Sequence, residues 1–419
     1  MDQPKENLQS VSFFDRPQVQ KVEIPIGGGV PLGFEVVSNN RVKSAGVYGA
    51  WGESYDNQRL LELIEQRIGR PMADSERMDL AEIGFLSRHH VSGLTLAENN
   101  ELEIEVGARL LREAAYACGW EPQEVQAVLL GASAPLCGDY VEQAARRAGI
   151  PEKAVKVSIH KACDGSMSAL HLSLNPALAL EGKVSRNLAN ELRGKKVLVG
   201  GIEALSRFIE FSGDVTALQL FANGAGIAGL IPGETMEFLV GRTHEVFDEA
   251  GVLAVRMEYP HAGRSLDGHS NVDIQQVNPN HIRLAGLMNE PANGSSVTMT
   301  GRMGMVKLFV RTDSQVVRQV VEDYRALMIE QGRPDRQIDL VAAHHANYKI
   351  NKLIQKNLHE EGIDLNMPWV ISDFGNISAA SCMIAYLRLL PQIQPGDHVM
   401  FDGFGAGTYY DVLVVEFKG

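Results

Sequence analysis

The stretch Val155-Lys156-Val157-Ser158-Ile159-His160-Lys161-Ala162-Cys163-Asp164-Gly165-Ser166-Met167-Ser168-Ala169-Leu170 decides the reading of this chain. It runs from an apolar segment through Ala162 into a segment of small residues opened by Cys163, the pattern of a strand ending in a thiol that starts a helix. Backbone N–H groups point outward at such a place. The positive end of the helix dipole favours thiolate over thiol and lowers a cysteine from its usual pKa of roughly 8.5. Cys163 is therefore a candidate nucleophile.

Two distant segments offer partners. The apolar run Ile338 to Ala343 ends in His344-His345-Ala346-Asn347, ahead of an amphipathic helix expected over Tyr348 to Leu358. Gly375-Asn376-Ile377-Ser378-Ala379-Ala380-Ser381 stands before a second small-residue helix reaching about Leu390. Each time, a strand end delivers a polar side chain to the start of a helix. Taken singly, each residue has a plainer reading: a buried Cys is usually an inert small hydrophobe, a lone His a satisfied structural residue, and an Asn before a helix its N-cap. Cys118, Cys137 and Cys382 keep that plain reading.

In their order, Ala162-Cys163-x-Gly165, His344-x-Ala346-Asn347 and Gly375-Asn376-x-Ser378-Ala379-Ala380-Ser381 resemble the beta-ketoacyl-acyl-carrier-protein synthase III family of the thiolase superfamily. Phe221-Ala222-Asn223-Gly224-Ala225-Gly226 stands for the family's Phe-Gly-Asp-Gly-Ala-Gly, and Gly403-Phe404-Gly405-Ala406-Gly407 for its C-terminal glycine loop. The resemblance covers about residues 80 to 419 and is strongest from Val125 to Ser206 and from Ile338 onward. It implies a five-layer α-β-α-β-α fold of two similar halves and a homodimer. It also implies acyl transfer to Cys163, then decarboxylative condensation with a malonyl-type thioester. His344 and Asn376 would hold the extender's thioester carbonyl, and the backbone N–H groups of Cys163 and Gly405 an oxyanion. His345, where the family often has Gln, is expected to line the site with Asn347, Phe404 and Phe221. Phe404 replaces the second, acid/base Cys of thiolases, which favours condensation over thiolysis. The family's Asp-Glu-Trp contact to coenzyme A has no clear match, Trp51-Gly52-Glu53 being a poor candidate. Arg88-His89 resembles the family's Arg-His, with a solvated turn as the alternative. Acyl-CoA or acyl-carrier-protein thioesters are the expected substrates, no cofactor is expected, and the primer stays open.

Composition sets bounds on this reading. A chain of 419 residues, 45% apolar, buries a large core and exceeds one ordinary domain. A net charge of -13 argues against nucleic acid as a partner, since such binding rests on clustered Lys and Arg. Four cysteines make no disulfide framework and show no zinc spacing, so a reducing cytoplasm is the expected setting. Residues 1–10 lack the apolar core of a signal segment, and no apolar run is long enough for a membrane span. Gly27-Gly28-Gly29 and Gly224-Ala225-Gly226 lack the strand-to-helix context of a phosphate cradle. His261, His269 and Asp273 read as a polar loop near a substrate tunnel, and no metal site is expected.

The chain divides into an irregular arm over 1–30, a first half over 31–232 carrying Cys163, and a second half over 233–419 carrying His344 and Asn376. Expected elements of the first half are strands Leu32 to Val37, Val125 to Gly131 and Lys196 to Gly201, and a helix from Glu101 to Cys118. Pro176 should end the helix after Cys163, and Glu181 to Lys195 reads as a polar insertion. The second half should hold a helix from Asp313 to Gln331 and strands His398 to Asp402 and Val412 to Phe417. The two small-residue helices should correspond, Cys163 with Asn376, and cross at the centre. Two further functions fit the motifs less well. One is an acyltransferase to an oxygen or nitrogen nucleophile, which does not need Asn376; the other is a noncatalytic subunit of a heterodimeric synthase, which does not need the three residues together.

Overall fold

The central strands are buried on both faces, and the two faces of each sort the chain into layers. The computed structural model describes residues 20–133, 135–178, 180, 184–207, 214–245, 255–257, 272–286, 297–299, 302–405 and 409–419. The first part contains strands β1 (Gln20–Ile26), β2 (Val30–Asn39), β3 (Ser44–Trp51), β4 (Glu53–Asp56), β5 (Ser87–His90), β6 (Ala127–Gly131), β7 (Val155–His160), β8 (Val197–Ala204) and β9 (Asn223–Leu230). Its helices are α1 (Asn57–Ile68), α2 (Leu96–Ala117), α3 (Tyr140–Ala148), α4 (Gly165–Leu174), α5 (Leu188–Leu192) and α6 (Val215–Leu220). The second part contains β10 (Met236–Glu245), β11 (Val255–Met257), β12 (Val272–Asn278), β13 (His281–Gly286), β14 (Val297–Met299), β15 (Leu340–Ala343), β16 (His398–Gly405) and β17 (Tyr409–Phe417). Its helices are α7 (Arg302–Glu330), α8 (Tyr348–Glu360) and α9 (Ser381–Leu389).

Nine strands form one sheet in the order β1-β2-β3-β9-β8-β6-β7-β13-β12, and four form a second in the order β10-β17-β16-β15. Along β6, Val128 and Leu130 face one core with α2 and α3, while Ala127 and Leu129 face another. Along β16, Val399 and Phe401 join that other core, while Met400 and Phe404 face a third with α7 and α8. Three apolar cores therefore separate five layers: α2 and α3, the first sheet, α4 with α9, the second sheet, and α7 with α8. This is the expected α-β-α-β-α arrangement.

Several boundaries move for local reasons. Helix α2 starts at Leu96 rather than Glu101 because Thr95 and Glu98 form a capping box: the Thr95 hydroxyl accepts the Glu98 N–H, and the Glu98 carboxylate accepts the Thr95 N–H at 2.8 Å. Helix α7 likewise begins at Arg302, ahead of Asp313. Helix α4 ends at Leu174, with Asn175 as its cap and Pro176 beyond, as the missing proline N–H demands.

Three expectations about organisation are corrected. The arm is not irregular throughout: Gln20–Ile26 is an edge strand paired antiparallel with β2, and Pro25 is tolerated at that edge; residues 1–19 lie outside the described residues. The sheets do not divide at residue 232, because β13, from the second half, pairs parallel with β7 and carries β12 with it. The polar segment 181–195 contains α5, whose Leu188 and Leu192 are buried; its residues 181–183 lie outside the described set, as do 258–271 with His261 and His269.

The middle layer depends on small residues. A Cβ at Gly165 would stand 2.9 Å from the Gly131 Cα and 3.1 Å from the Ala379 Cβ. One at Gly201 would stand 2.4 Å from the Ala379 carbonyl oxygen. Gly201→Ala is therefore expected to cost about 1–3 kcal/mol through overpacking. Chemical denaturation checks this, and an unchanged midpoint would refute the close crossing.

Candidate active site

The turn that follows β7 presents Cys163. Lys161 leaves the strand, Ala162 adopts a left-handed φ of 47°, and Ala162–Asp164 form one 3₁₀ turn leading into α4. A positive φ at a residue with a Cβ is strained and is held only where packing requires it. The holding contacts lie beneath. Lys161 Nζ sits 2.7 Å from Asp411 Oδ2 and 3.0 Å from Asp164 Oδ2, and Asp411 Oδ1 is 2.7 Å from His171 Nδ1. Burial alone would raise Asp411, but the charges of Lys161 and His171 and the hydrogen bonds it accepts outweigh burial and hold it low. Asp164 goes the other way, raised by burial and by the Asp411 charge beside it.

The C-terminal glycine loop closes over the same turn. A Cβ on Gly405 would lie 2.8 Å from the Asp164 nitrogen and 2.9 Å from the Cys163 nitrogen, so β16 passes over Cys163 only as a glycine. The two backbones expected to form the oxyanion pocket are thus in contact, while Ala406 and Gly407 lie outside the described residues. Phe404, one residue earlier, points away into the outer core, where it meets the His344 ring edge-on at 4.9 Å between centroids.

His344 and His345 do different things. His345 is tied at both ring nitrogens: Nδ1 is 2.7 Å from the Ala343 carbonyl oxygen, and Nε2 accepts the Val370 N–H at 3.2 Å. Its ring also packs on Trp369 at 4.5 Å. His344 is anchored through its backbone, its N–H donating to the Asp402 carbonyl at 2.8 Å and its own carbonyl accepting from Asn351 at 2.9 Å. Its Nδ1 has no hydrogen-bond partner among the described residues. Burial, and then His345 beside it, push His344 down to about 3, so the ring is a neutral imidazole at physiological pH. Burial pushes His345 down to about 4.

Asn376 is oriented by its surroundings. Its Oδ1 accepts the Ser378 N–H at 2.9 Å and its Nδ2 donates to the Ala346 carbonyl at 3.2 Å, which ties it to the loop after His344. An amide has two N–H donors, and the second has no partner among the described residues. The backbone is fixed by Phe221, which forms a parallel bridge with Asn376, and by Leu220, whose carbonyl accepts the Asn376 N–H at 2.9 Å. Arg88 braces that carbonyl at 3.3 Å and also donates to the Gln219 carbonyl. It lies buried on β5, so the solvated-turn alternative falls.

The structure therefore places Gly405 against Cys163, Ser378 between Cys163 and Asn376, Phe221 beside Asn376, and Phe404 against the His344 ring on the far side of its strand. Asn347, expected to line the site, instead caps α8: its Oδ1 accepts the N–H groups of Lys349 at 2.9 Å and Ile350 at 3.2 Å. The expected match of Cys163 with Asn376 is also corrected. The second turn runs Ile377, Ser378 with φ 43°, Ala379 and Ala380, so Ala162 corresponds to Ser378 and Cys163 to Ala379. Trp51 is buried in the core beneath α2 and α3 and presents no surface to a ligand. Three residues at the site went unread: Ser378, whose hydroxyl donates to Cys163 Sγ at 3.2 Å, and Ser133 and Glu203 behind it. A signal for Glu203 existed, a carboxylate inside the apolar run Val197 to Ala204.

Comparison with known proteins places this geometry. The family described as 3-oxoacyl-[acyl-carrier-protein (ACP)] synthase III C terminal matches residues 329–417, which include His344, Asn376 and Gly405. The chain is similar to beta-ketoacyl-acyl-carrier-protein synthase III. Beta-ketoacyl-[acyl-carrier-protein] synthase III 2 of Lactiplantibacillus plantarum is 26% identical over 371 residues, 85% of this chain and 95% of that protein. The crystal structure of 3-oxoacyl-[acyl-carrier-protein] synthase III from Aquifex aeolicus superposes with a TM-score of 0.58 at 18% identity, over 87% of this chain and 96% of that one. A bacterial type III polyketide synthase from Streptomyces coelicolor, 1,3,6,8-tetrahydroxynaphthalene synthase, gives 0.59 at 12% identity, over 89% of this chain and 98% of that one. Both likenesses establish the thiolase-like fold. Among the described residues no helix is long and apolar enough to cross a membrane.

The two buried histidines set a pH dependence. An unfolded histidine takes up its proton near pH 6.5, whereas these take theirs only near 3 and 4, so below pH 6.5 the unfolded state binds more protons. Stability is therefore expected to fall as pH drops from 6.5 toward 4, by up to about 1.4 kcal/mol per pH unit for each histidine. His345→Gln should flatten the slope of denaturation free energy against pH. An unchanged slope would show that His345 is charged in the folded state.

Proposed function

We propose that the chain is a condensing enzyme that transfers an acyl group from a thioester to Cys163 and then joins it to a malonyl-type thioester with loss of carbon dioxide. The observation that carries the reading is the contrast between the two reactive ends of the site. One end is a thiol at a helix start with a glycine backbone over its own N–H; the other is a buried neutral imidazole with an amide oriented beside its loop. The first suits nucleophilic attack and oxyanion binding. The second suits donation to a carbonyl that gains negative charge.

In this reading the Cys163 thiolate attacks the acyl thioester, and the N–H groups of Cys163 and Gly405 hold the tetrahedral oxygen. The carrier thiol departs and leaves an acyl-enzyme. The extender then enters, and His344 Nε2 and the second Asn376 N–H donate to its thioester carbonyl while the carboxylate leaves as carbon dioxide. The resulting enolate carbon attacks the acyl-Cys and releases a beta-ketoacyl product. A charged imidazolium would be a poorer choice here, because it would cost more to bury than it returns as a donor. Phe404 in place of a second thiol leaves no sulfur to run the reverse thiolysis. The names of the relatives support acyl-CoA or acyl-carrier-protein thioesters as substrates, and the reading includes a homodimer acting without a resident cofactor or metal.

Intact mass of the protein after incubation with a panel of acyl-CoA thioesters tests this, followed by malonyl-CoA. A mass gain that requires Cys163 and is discharged as a beta-ketoacyl product is expected. Asn376→Ala should keep acylation but slow condensation roughly a hundredfold, the loss of about 3 kcal/mol that one oxyanion-type donor supplies. Label that malonyl-CoA never discharges would favour transfer to an oxygen or nitrogen nucleophile instead. Equal loss of both half-reactions in Asn376→Ala would overturn the division of roles.

A further inference from the structure

Behind Cys163 lies a buried line of hydroxyls that ends on a carboxyl group. The Ser378 hydroxyl is 3.2 Å from Cys163 Sγ, and it is also hydrogen-bonded to the Ser133 hydroxyl. The Ser133 hydroxyl is bonded in turn to Glu203 Oε1, at the end of β8. Ser133, Ser378 and Glu203 are each no more than 2% exposed. The same Oε1 accepts the N–H groups of Ser133 at 2.8 Å and Ala379 at 3.0 Å. Those two backbone bonds explain why a carboxylate buttresses the second turn. They do not explain why its hydrogen bonds continue, through exchangeable hydrogens alone, to the Cys163 thiol ahead of α4.

We infer that Glu203 receives the Cys163 proton through the Ser378 and Ser133 hydroxyls and returns it when Cys163 is released from its acyl group. This deepens the condensing-enzyme reading and rests on it. Each hydroxyl donates one hydrogen while accepting another. The Ser378 hydroxyl, which donates to Cys163 Sγ as the structure stands, first turns to Ser133; the thiol S–H bond then breaks toward Ser378 Oγ, the Ser378 hydrogen passes to Ser133 Oγ, and the Ser133 hydrogen passes to Glu203. Thiol and carboxylate become thiolate and carboxylic acid, with no change of net charge in a buried site. The departing carrier thiolate takes a proton from solvent. Once the new carbon–carbon bond expels the Cys163 thiolate, the line runs backward. One solvent proton is then consumed per turnover, matching the carboxylate lost as carbon dioxide. Glu203 touches no reacting atom and acts through the two serines, as a positioning residue for the proton.

The surroundings fit this role. Burial raises Glu203 to about 8, against the opposing pull of Ser133, the Ala379 N–H and the Arg207 charge, which brings it near an ordinary thiol at roughly 8.5. His344, the alternative acceptor, has been pushed down to about 3. Facing Glu203 are Arg207 on the turn after β8, Tyr140 on α3 and Glu103 on α2, the last paired with Arg207 at 2.6 Å. Around Cys163 stand Lys161 and Asp164 on its own turn, His160 on β7, His171 on α4, Asp411 on β17, Asp402 on β16 and Asp313 on α7. Glu203→Gln leaves all of these in place.

The test is the rate at which iodoacetamide alkylates Cys163 in the full-length protein, read by peptide mass across the neutral and alkaline range. Coupled groups titrate as a pair, so the wild-type rate is expected to rise in two steps more than about one pH unit apart. Glu203→Gln should give a single step. Ser133→Ala keeps both end groups but cuts the line between them, and it should also give a single step. Superimposable profiles for wild type and Glu203→Gln overturn the relay. So does a two-step profile in Ser133→Ala, which would mean that Glu203 acts through its field alone. Should Glu203→Gln fail to fold, Ser133→Ala decides by the same criterion. Iodoacetamide needs no acyl substrate, so a chain that alkylates as expected yet is never acylated by a thioester counts against the condensing reading and not against the coupling of Cys163 to Glu203.

Discussion

The centre of this molecule depends on two backbone turns being able to touch. Gly131, Gly165, Gly201 and Ala379 meet at distances that a single added Cβ would bring below 3 Å or close to it. Larger residues would push the sheets apart, and the turn carrying Cys163 would lose the neighbour that places Ser378 and Asn376 beside it. Burial on this scale is why both helices of the middle layer lack a polar face: every residue of α4 and of α9 is buried. Amphipathic periodicity, the usual mark of a helix, is absent where the site is built.

Sealing the turns from water has an electrostatic consequence. Charges left near them must be paired or surrendered. Lys161 and Asp411 keep theirs by standing 2.7 Å apart with His171 on the far side, and they anchor the strained Ala162 backbone. His344 has no carboxylate to pair with and remains neutral. Glu203 sits between these cases, buried enough to be raised to about 8 but surrounded by N–H and O–H donors that keep its anion accessible. One dielectric environment thus produces a fixed ion pair, a neutral imidazole and a titratable carboxyl around the same two turns.

Much of this was legible in the sequence because strand, reactive residue and small-residue helix recur as a unit. That unit gave the layered fold and placed Cys163 and His344 just after β7 and β15, whereas Asn376 follows a run of turns rather than a strand. The sequence failed where long-range pairing decides. Nothing local in Val272–Gly286 says that a hairpin from the second half will add to the first sheet beside β7. Asn347 was read as part of the site because it follows His344 by three residues, but a β-to-helix junction needs a cap and the asparagine satisfies two orphan N–H groups. Ser133 and Glu203 are separated by 70 residues and meet only through β6 and β8, so their hydrogen bond has no sequence period to betray it.

The two turns also show how a repeated unit divides its labour. Ala162 and Ser378 hold the same left-handed φ, at 47° and 43°, and Cys163 corresponds to Ala379. On the first turn the position after the strained residue faces Gly405, whose missing side chain leaves room above the thiol. On the second the equivalent position packs so closely that a Cβ added to Gly201 would stand 2.4 Å from its carbonyl oxygen, and its N–H is bound to Glu203, so there is space neither for a sulfur nor for a substrate. The reactive group on that turn has moved one residue back, to the Ser378 hydroxyl, which looks across at Cys163. A thiol and a hydroxyl therefore occupy neighbouring positions of one duplicated element. Their 3.2 Å contact follows from the packing of the two turns against each other rather than from any segment of sequence they share.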